Sequence, residues 1–295
     1  MVNVAQKRLF CIGYGYTAAA LARILIGENW SIAGTTSRED KAATMRENGI
    51  EAIIWPDGKF NPDWIENATA ILISVPPNEQ SCPAFEATCE AILKHRTTID
   101  WIGYLSTNGV YGNHSGRWVN EESALKPTQS RARRRIKAEA IWAEFGAAYS
   151  LPIKIFRLPG IYGPGRSALD NVRQSTAKRI VKPGQVFSRM HVDDIACALK
   201  ADIEQPFTYD LFNLADDEPS PPHEVVEYAC TLLGKDLPPL IPFEEADLSP
   251  MAKSFYADNK RVSNKRMKDA LGVKLKYPTY REGLRAILES EEGTV

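Results

Sequence analysis

The stretch Leu9-Phe10-Cys11-Ile12-Gly13-Tyr14-Gly15-Tyr16-Thr17-Ala18 decides the reading of this chain. A short apolar run suited to a buried strand breaks into Gly-x-Gly-x-x-Ala, and behind the turn Ala18, Ala19, Leu21, Ala22, Leu25 and Ile26 recur at helical spacing. Each small residue has a physical task. Gly13 permits the tight turn, Gly15 lets the backbone approach an anion, and Ala18 lets the helix pack closely on the strand. The helix begins with N–H groups that lack intrahelical acceptors, at the positive end of its dipole. This order predicts a cradle for a dinucleotide pyrophosphate, built from Gly13, Tyr14, Gly15, Tyr16 and Thr17. A turn that serves packing alone is the competing reading.

Downstream, apolar runs at Ser31–Thr35, Ala52–Trp55, Ala70–Val75, Trp101–Ser106, Ile153–Arg157 and Tyr209–Leu214 alternate with amphipathic stretches such as Lys41–Asn48, Phe85–His95 and Ile136–Tyr149. Strands alternating with helices predict an α/β fold: a Rossmann-like doubly wound parallel sheet with helices on both faces. A smaller C-terminal substrate region completes it. The expected division is a dinucleotide-binding domain over 1–161, with 186–218 returning to it, and a substrate region of 162–185 and 219–295. In such sheets ligands sit beyond the carboxyl ends of the strands.

After the second strand comes Thr36-Ser37-Arg38, with Glu39 and Asp40 only beyond it. An acid at this point takes the ribose 2′-hydroxyl of NAD, whereas an arginine accommodates the 2′-phosphate of NADP, so NADP is expected and NAD is the alternative. Arg38 as a solvated charge, with Thr36 and Ser37 as helix caps, is the plainer reading. After the fourth strand, Ser74-Val75-Pro76 leads into a second proline, a rigid extended segment placed to line the adenosine side of a cleft or simply to connect strand and helix.

The 295 residues carry a formal net charge of −1, which gives no general attraction to nucleic acid or to anionic membranes. No run approaches the ~20 apolar residues of a membrane span, and the segment after Lys7 and Arg8 lacks the shape of a signal peptide. Five cysteines without a C-x-x-C pair favour reduced thiols in the cytoplasm, with no metal site. The arginine-rich run around 131–135 has no interleaved aromatics, so it is poor support for nucleic-acid binding.

Four later segments carry a resemblance. Leu105-Ser106-Thr107-Asn108-Gly109-Val110-Tyr111-Gly112, Phe156-Arg157-Leu158-Pro159-Gly160-Ile161-Tyr162-Gly163-Pro164-Gly165, Met190-His191-Val192-Asp193-Asp194-Ile195-Ala196 and Phe212-Asn213-Leu214-Ala215 appear in order. They resemble segments of the NAD-dependent epimerase/dehydratase family, the extended short-chain dehydrogenase/reductases, as does the tail Tyr277–Leu284. The resemblance implies a Rossmann domain holding NAD or NADP and a C-terminal region over a sugar nucleotide or related small molecule, with a homodimer as an allowed assembly. It places Ser106 or Thr107 near the nicotinamide as hydrogen-bonding hydroxyls, and Pro159, Gly160 and Ile161 beside the nicotinamide amide.

The chain departs from that family at its Tyr-x-x-x-Lys pair. Setting Glu139 on the family's downstream glutamate puts Arg131 at the tyrosine position and Arg135 at the lysine position; a shift of two residues gives Arg133 and Lys137 instead. Arginine stays protonated and only donates, so it cannot take a proton from an alcohol, but it binds anions and offsets negative charge. Arg131 and Arg135 are thus candidate anion contacts or members of a solvated basic face. Tyr111, Tyr162 and His191 remain as proton-relay candidates, and His191 has the suitable intrinsic pKa. Two functions follow: hydride transfer between a nicotinamide and a sugar-nucleotide-like or small hydroxyl or carbonyl substrate, or a catalytically inactive NADP-binding sensor.

Overall fold

The computed structural model describes residues 6–56, 58–205 and 209–293. In chain order the strands are β1 (Arg8–Ile12), β2 (Ser31–Thr36), β3 (Glu51–Ile54), β4 (Ala70–Ile73), β5 (Trp101–Thr107), β6 (Trp118–Val119) and β7 (Ile153–Leu158). Then follow β8 (Gly160–Tyr162), β9 (Arg179–Val181), β10 (Arg189–His191), β11 (Leu211–Asn213), β12 (Leu240–Pro242) and β13 (Arg261–Val262). The helices are α1 (Tyr16–Ile26), α2 (Glu39–Glu47), α3 (Pro83–Lys94), α4 (Ser130–Tyr149) and α5 (Ala168–Arg173). After them come α6 (Val192–Glu204), α7 (Pro222–Leu233), α8 (Pro250–Tyr256), α9 (Lys265–Leu271) and α10 (Tyr280–Glu292).

The chain divides into two compact units, the first comprising Met1–Ser106, Arg133–Arg157 and Ala196–Phe212 and the second the remainder. The first holds a seven-stranded parallel sheet in the order β11-β7-β5-β4-β1-β2-β3, flanked by helices, which is the Rossmann-like architecture expected from the alternating pattern. The residues explain the order. Every residue of β4 is buried, and only Arg8 of β1 is not, as central parallel strands covered on both faces require. Strand β3 is exposed at Glu51 and Ile54, the signature of an edge. Phe10 registers against Ala33 on one side and Ile71 on the other, so β1 lies where the strand order reverses. At this switch point the carboxyl ends of β1 and β4 lie side by side.

Helix α1 covers the sheet through Ala18, Leu21, Ala22 and Leu25, all fully buried and spaced by three or four residues. Another part of the core gathers Phe10, Ile71, Tyr104, Trp142 and Phe145, with Phe85 edge-on to Trp142 at 5.1 Å. Burying such side chains contributes about 1.5–3 kcal/mol apiece. Strand β4 stops at Ile73, two residues before the end of its apolar run, and Ser74 donates through Oγ to the Gly13 carbonyl.

The second unit is assembled from short parallel pairs, β8 with β10, β9 with β12 and β6 with β13, and a helical cluster around Tyr162, Leu169, Tyr280, Leu284 and Ile287. Capping boxes start two of its helices, Ser167 with Asp170 and Thr279 with Glu282. The proline-rich stretch 237–250 forms β12 and a 3₁₀ turn before Ser249 caps α8. Gly112 in the Val-Tyr-Gly segment has φ +65°, and a Cβ there would lie 1.6 Å from the Lys126 carbonyl oxygen.

Candidate functional site

Within the first unit the ends of β1, β2 and β4 open on a cleft of about 1210 Å³. Gly13, Tyr14 and Gly15 line its floor, and Thr35, Thr36, Ser37, Ser74, Val75 and Pro76 its sides. Gly13 has φ +86°, and a Cβ there would meet Val75 Cγ2 at 2.8 Å. Its N–H donates to Thr35 Oγ1 at 2.8 Å, and Tyr14 N donates to the Thr35 carbonyl at 2.7 Å, which fixes the turn on β2. A Cβ on Gly15 would find only Ser74 Oγ, at 3.9 Å, so hydrogen at this position keeps the cleft clear.

Gly15 is the N-cap of α1, and no side chain caps that end. The first turn carries no acid, and the first helical bond runs from Ala19 N to the Gly15 carbonyl at 2.9 Å, which leaves the earlier N–H groups of Thr17 and Ala18 outside the helical ladder. Donors, dipole and open space therefore coincide. That combination suits an anionic diphosphate.

The cleft continues past residues the motif did not reveal. Trp55, Pro56, Lys59 and Phe60 form its far wall, Lys41 reaches it from the first turn of α2, and Pro83, Ala87 and Ala91 supply part of α3. Trp55 and Phe60 meet edge-on at 5.5 Å. Arg38 stands apart: its Nε donates to Asp40 Oδ1 at 3.0 Å and Nη2 to Asp40 Oδ2, and its side chain is 71% exposed.

At the carboxyl end of β5, Ser106 is buried and donates to Glu139 Oε1 at 2.5 Å. Glu139 also receives Arg157, whose Nη2 lies 2.7 Å from Oε2 and whose Nε lies 3.2 Å from both oxygens. The Arg157 and Glu139 side chains are 5% and 7% exposed, so a buried ion pair fastens α4 to β7 and holds the Ser106 hydroxyl. Arg135 Nη1 donates to the Leu105 carbonyl at 2.7 Å and to Tyr104 Oη at 3.2 Å. Spacing alone marked Glu139 only as a register point; its partner lies 18 residues away on another element.

The other candidates lie in the second unit. Half-buried Thr107 accepts from Gly109 N at 3.1 Å, an arrangement that leaves its own proton available for donation. Tyr111 is fully buried and donates to Asn213 Oδ1 at 2.7 Å. Arg131 Nη2 donates to Ser254 Oγ at 3.2 Å, and its guanidinium lies 4.1 Å from the centre of the Phe255 ring. His191 is 2% exposed, accepts from Asp193 N at Nδ1 and packs between Tyr162 and Tyr277 at 5.2 and 4.2 Å. Pro159, Gly160 and Ile161 enter β8, where Gly160 N donates to the Ser188 carbonyl. Among the described residues no cluster of His, Cys, Asp and Glu forms a metal site, and no helix is long and apolar enough to cross a membrane.

Comparison with known proteins agrees with this architecture. Residues 86–215 match the model of the NAD dependent epimerase/dehydratase family. Over 160 residues the chain is 29% identical to a 3-diazoavenalumate denitrifying reductase from Streptomyces; the match takes in 50% of this chain and 51% of that one, so the chain spans about half the length of its curated relative. A conserved protein of unknown function from Silicibacter pomeroyi is 44% identical, with a TM-score of 0.89 over 97% of this chain and all of the other. The dTDP-glucose 4,6-dehydratase of Bacillus anthracis, solved with NAD, shares the fold at 18% identity and a TM-score of 0.76, covering 98% and 97% of the two chains. Over residues 86–215, from within α3 to just beyond β11, the chain is similar to the NAD-dependent epimerase/dehydratase family on the expected fold.

Proposed function

We propose that this protein is an oxidoreductase of epimerase-like type that uses NADP and acts on a small hydroxyl- or carbonyl-bearing substrate such as a sugar nucleotide. One observation carries the reading: the uncapped N-terminus of α1 opens, behind Gly13 and Gly15, on the cleft at the sheet's switch point. The residues fit the cofactor. The glycine turn holds the pyrophosphate, Ser74, Val75 and Pro76 with Trp55 border the adenosine, and Thr36 and Ser37 present hydroxyls where an NAD enzyme presents an acid. When bound, the cofactor supplies the hydride donor or acceptor.

Between 130 and 139 no tyrosine stands: arginine only donates, Lys137 is exposed, and Glu139 is committed to Arg157 and Ser106. Hydride delivered to a carbonyl leaves an alkoxide, so in either direction the proton is exchanged with solvent water rather than with these residues. We assign the Thr107 hydroxyl to orienting the substrate oxygen and Arg135, whose remaining N–H groups are unspent on Leu105 and Tyr104, to offsetting negative charge. Ser106, Tyr111 and His191, whose polar atoms already serve Glu139, Asn213 and Asp193, are assigned to holding these elements in place. The free thiols fit a reducing cytoplasm.

Fluorescence titration with NADPH and NADH, followed by NADPH oxidation against a panel of sugar nucleotides and small carbonyl compounds, tests this. Turnover that falls about tenfold or more in Thr107→Val, with cofactor affinity kept, is the expected result. The arginines in place of the tyrosine and lysine favour a second reading, an NADP-occupied sensor. Tight binding without turnover anywhere on the panel selects it.

A further inference from the structure

We propose that Lys41, and not Arg38, is the side chain that selects the 2′-phosphate of NADP. The inference rests on the dinucleotide reading above and names the residue that gives it cofactor specificity. Position in the sequence favours Arg38, which directly follows the β2 end. The geometry points elsewhere. Arg38 is forked onto Asp40 through Nε and Nη2, lies mostly in solvent and is not among the residues lining the cleft. To reach a phosphate it must abandon that carboxylate, and Asp40 would then stand unpaired near a dianion.

Lys41 lines the cleft beside Thr36 and Ser37. It is half-buried, and among the described residues its ammonium has neither a carboxylate within ion-pair distance nor a hydrogen-bond acceptor. The two acids nearest in sequence are occupied, Asp40 by Arg38 and Glu39 by Arg46 at 2.9 Å. Burial, and then the charge of Arg38, push the Lys41 pKa below the usual lysine value, and the charge of Asp40 offsets only part of this. A 2′-phosphate, with about two negative charges, supplies what is missing. Thr36 Oγ1 accepts from Arg38 N at 3.3 Å and keeps its proton to donate, and Thr36, Ser37 and Lys41 line the same cleft.

The test is calorimetric titration of wild type, Lys41→Met, Lys41→Arg and Arg38→Met with NADPH and with NADH. The inference expects Lys41→Met to raise the Kd for NADPH about tenfold or more while leaving that for NADH within about twofold. The unchanged NADH affinity shows that the variant is folded. Lys41→Arg should recover most of the loss, and Arg38→Met should change NADPH binding less than about threefold. If Arg38→Met carries the loss and Lys41→Met keeps the preference, the inference is overturned and the NADP reading stands. If the wild type binds NADH at least as tightly as NADPH, the NADP reading fails and the inference with it.

Discussion

The glycine turn at 13–18 and the arginine run at 131–135 are both rich in hydrogen-bond donors, and they differ in what those donors have found. At the turn, the start of α1 faces a cleft with no side chain to cap it. In the run, Arg131 gives Nη2 to Ser254 and lies over Phe255, one arm of Arg135 goes to Leu105 and Tyr104, and Arg134 Nε, without a partner among the described residues, is buried. Open donors beside open space mark a binding site; donors already matched by the protein mark architecture. The arginines are the more conspicuous feature of the sequence and the glycines the more informative one, because conformational freedom and empty space are what a ligand needs.

The sharpest test of the architectural half is Glu139→Ala. It leaves the Arg157 guanidinium, 5% exposed, without its carboxylate, and breaking a buried pair from one side costs about 3–5 kcal/mol. Urea unfolding should show a midpoint lowered accordingly. A loss below about 1 kcal/mol would mean that the pair is not closed to water.

Asp216 sharpens the distinction from another side, since an unmatched polar atom is not by itself a site. Its Oδ2 is buried without a partner, it is 1% exposed, and burial raises its pKa to about 8 against partial relief from Arg189. The folded protein therefore holds a proton that the unfolded chain, with its ordinary value of 3.8, releases. Stability contributed by this group is full below about pH 4 and is lost as pH rises toward 8, by an amount on the order of a few kcal/mol. Asp216→Asn should remove that slope, gaining on the wild type between pH 5 and pH 8.5 in urea titrations while binding NADPH unchanged. A difference between the two proteins that stays flat with pH contradicts the assignment.

At the turn itself, the two glycines should separate folding from binding. Gly13→Ala places a Cβ 2.8 Å from Val75 Cγ2 at φ +86°, which costs about 1–2 kcal/mol of stability before any ligand is added. Gly15→Ala meets no such strain, because its φ is −96° and its Cβ enters open space. It should leave the unfolding midpoint nearly unchanged and still weaken NADPH about tenfold or more, the methyl standing where the pyrophosphate approaches. Equal NADPH affinity in Gly15→Ala and wild type would remove the cleft from its proposed role.

What the sequence discloses follows the same line. Local requirements are legible: the buried runs of β1 and β4, the positive φ of Gly13 and the helical spacing behind it each express a demand met within a few residues. Non-local matches are not. Glu139 meets Arg157 across two elements, and Tyr111 meets Asn213 across 102 positions; no spacing rule encodes such pairs. Lys41 escapes notice for a different reason. It sits in the charged first turn of α2, where every residue reads as solvated, and only the partners taken by Glu39 and Asp40 reveal that, like Lys59, it is a cation lining the cleft.

The smallest expected effect is also the most direct trial of the contrast between spent and open donors. In the register that sets Glu139 on the family's downstream glutamate, Arg131 falls at the tyrosine position, so a role in chemistry or cofactor binding predicts a large defect on its removal. Its structural ties predict otherwise. Arg131→Ala gives up one neutral-acceptor hydrogen bond to Ser254 and a cation–π contact with Phe255, together about 1–2 kcal/mol of local stability around α8. NADPH affinity should stay within about twofold, whereas hydrogen exchange across 250–256 should quicken, since α8 loses part of its hold on the first turn of α4. If affinity instead falls tenfold with exchange unchanged, Arg131 is an anion contact and its bonds to α8 are incidental.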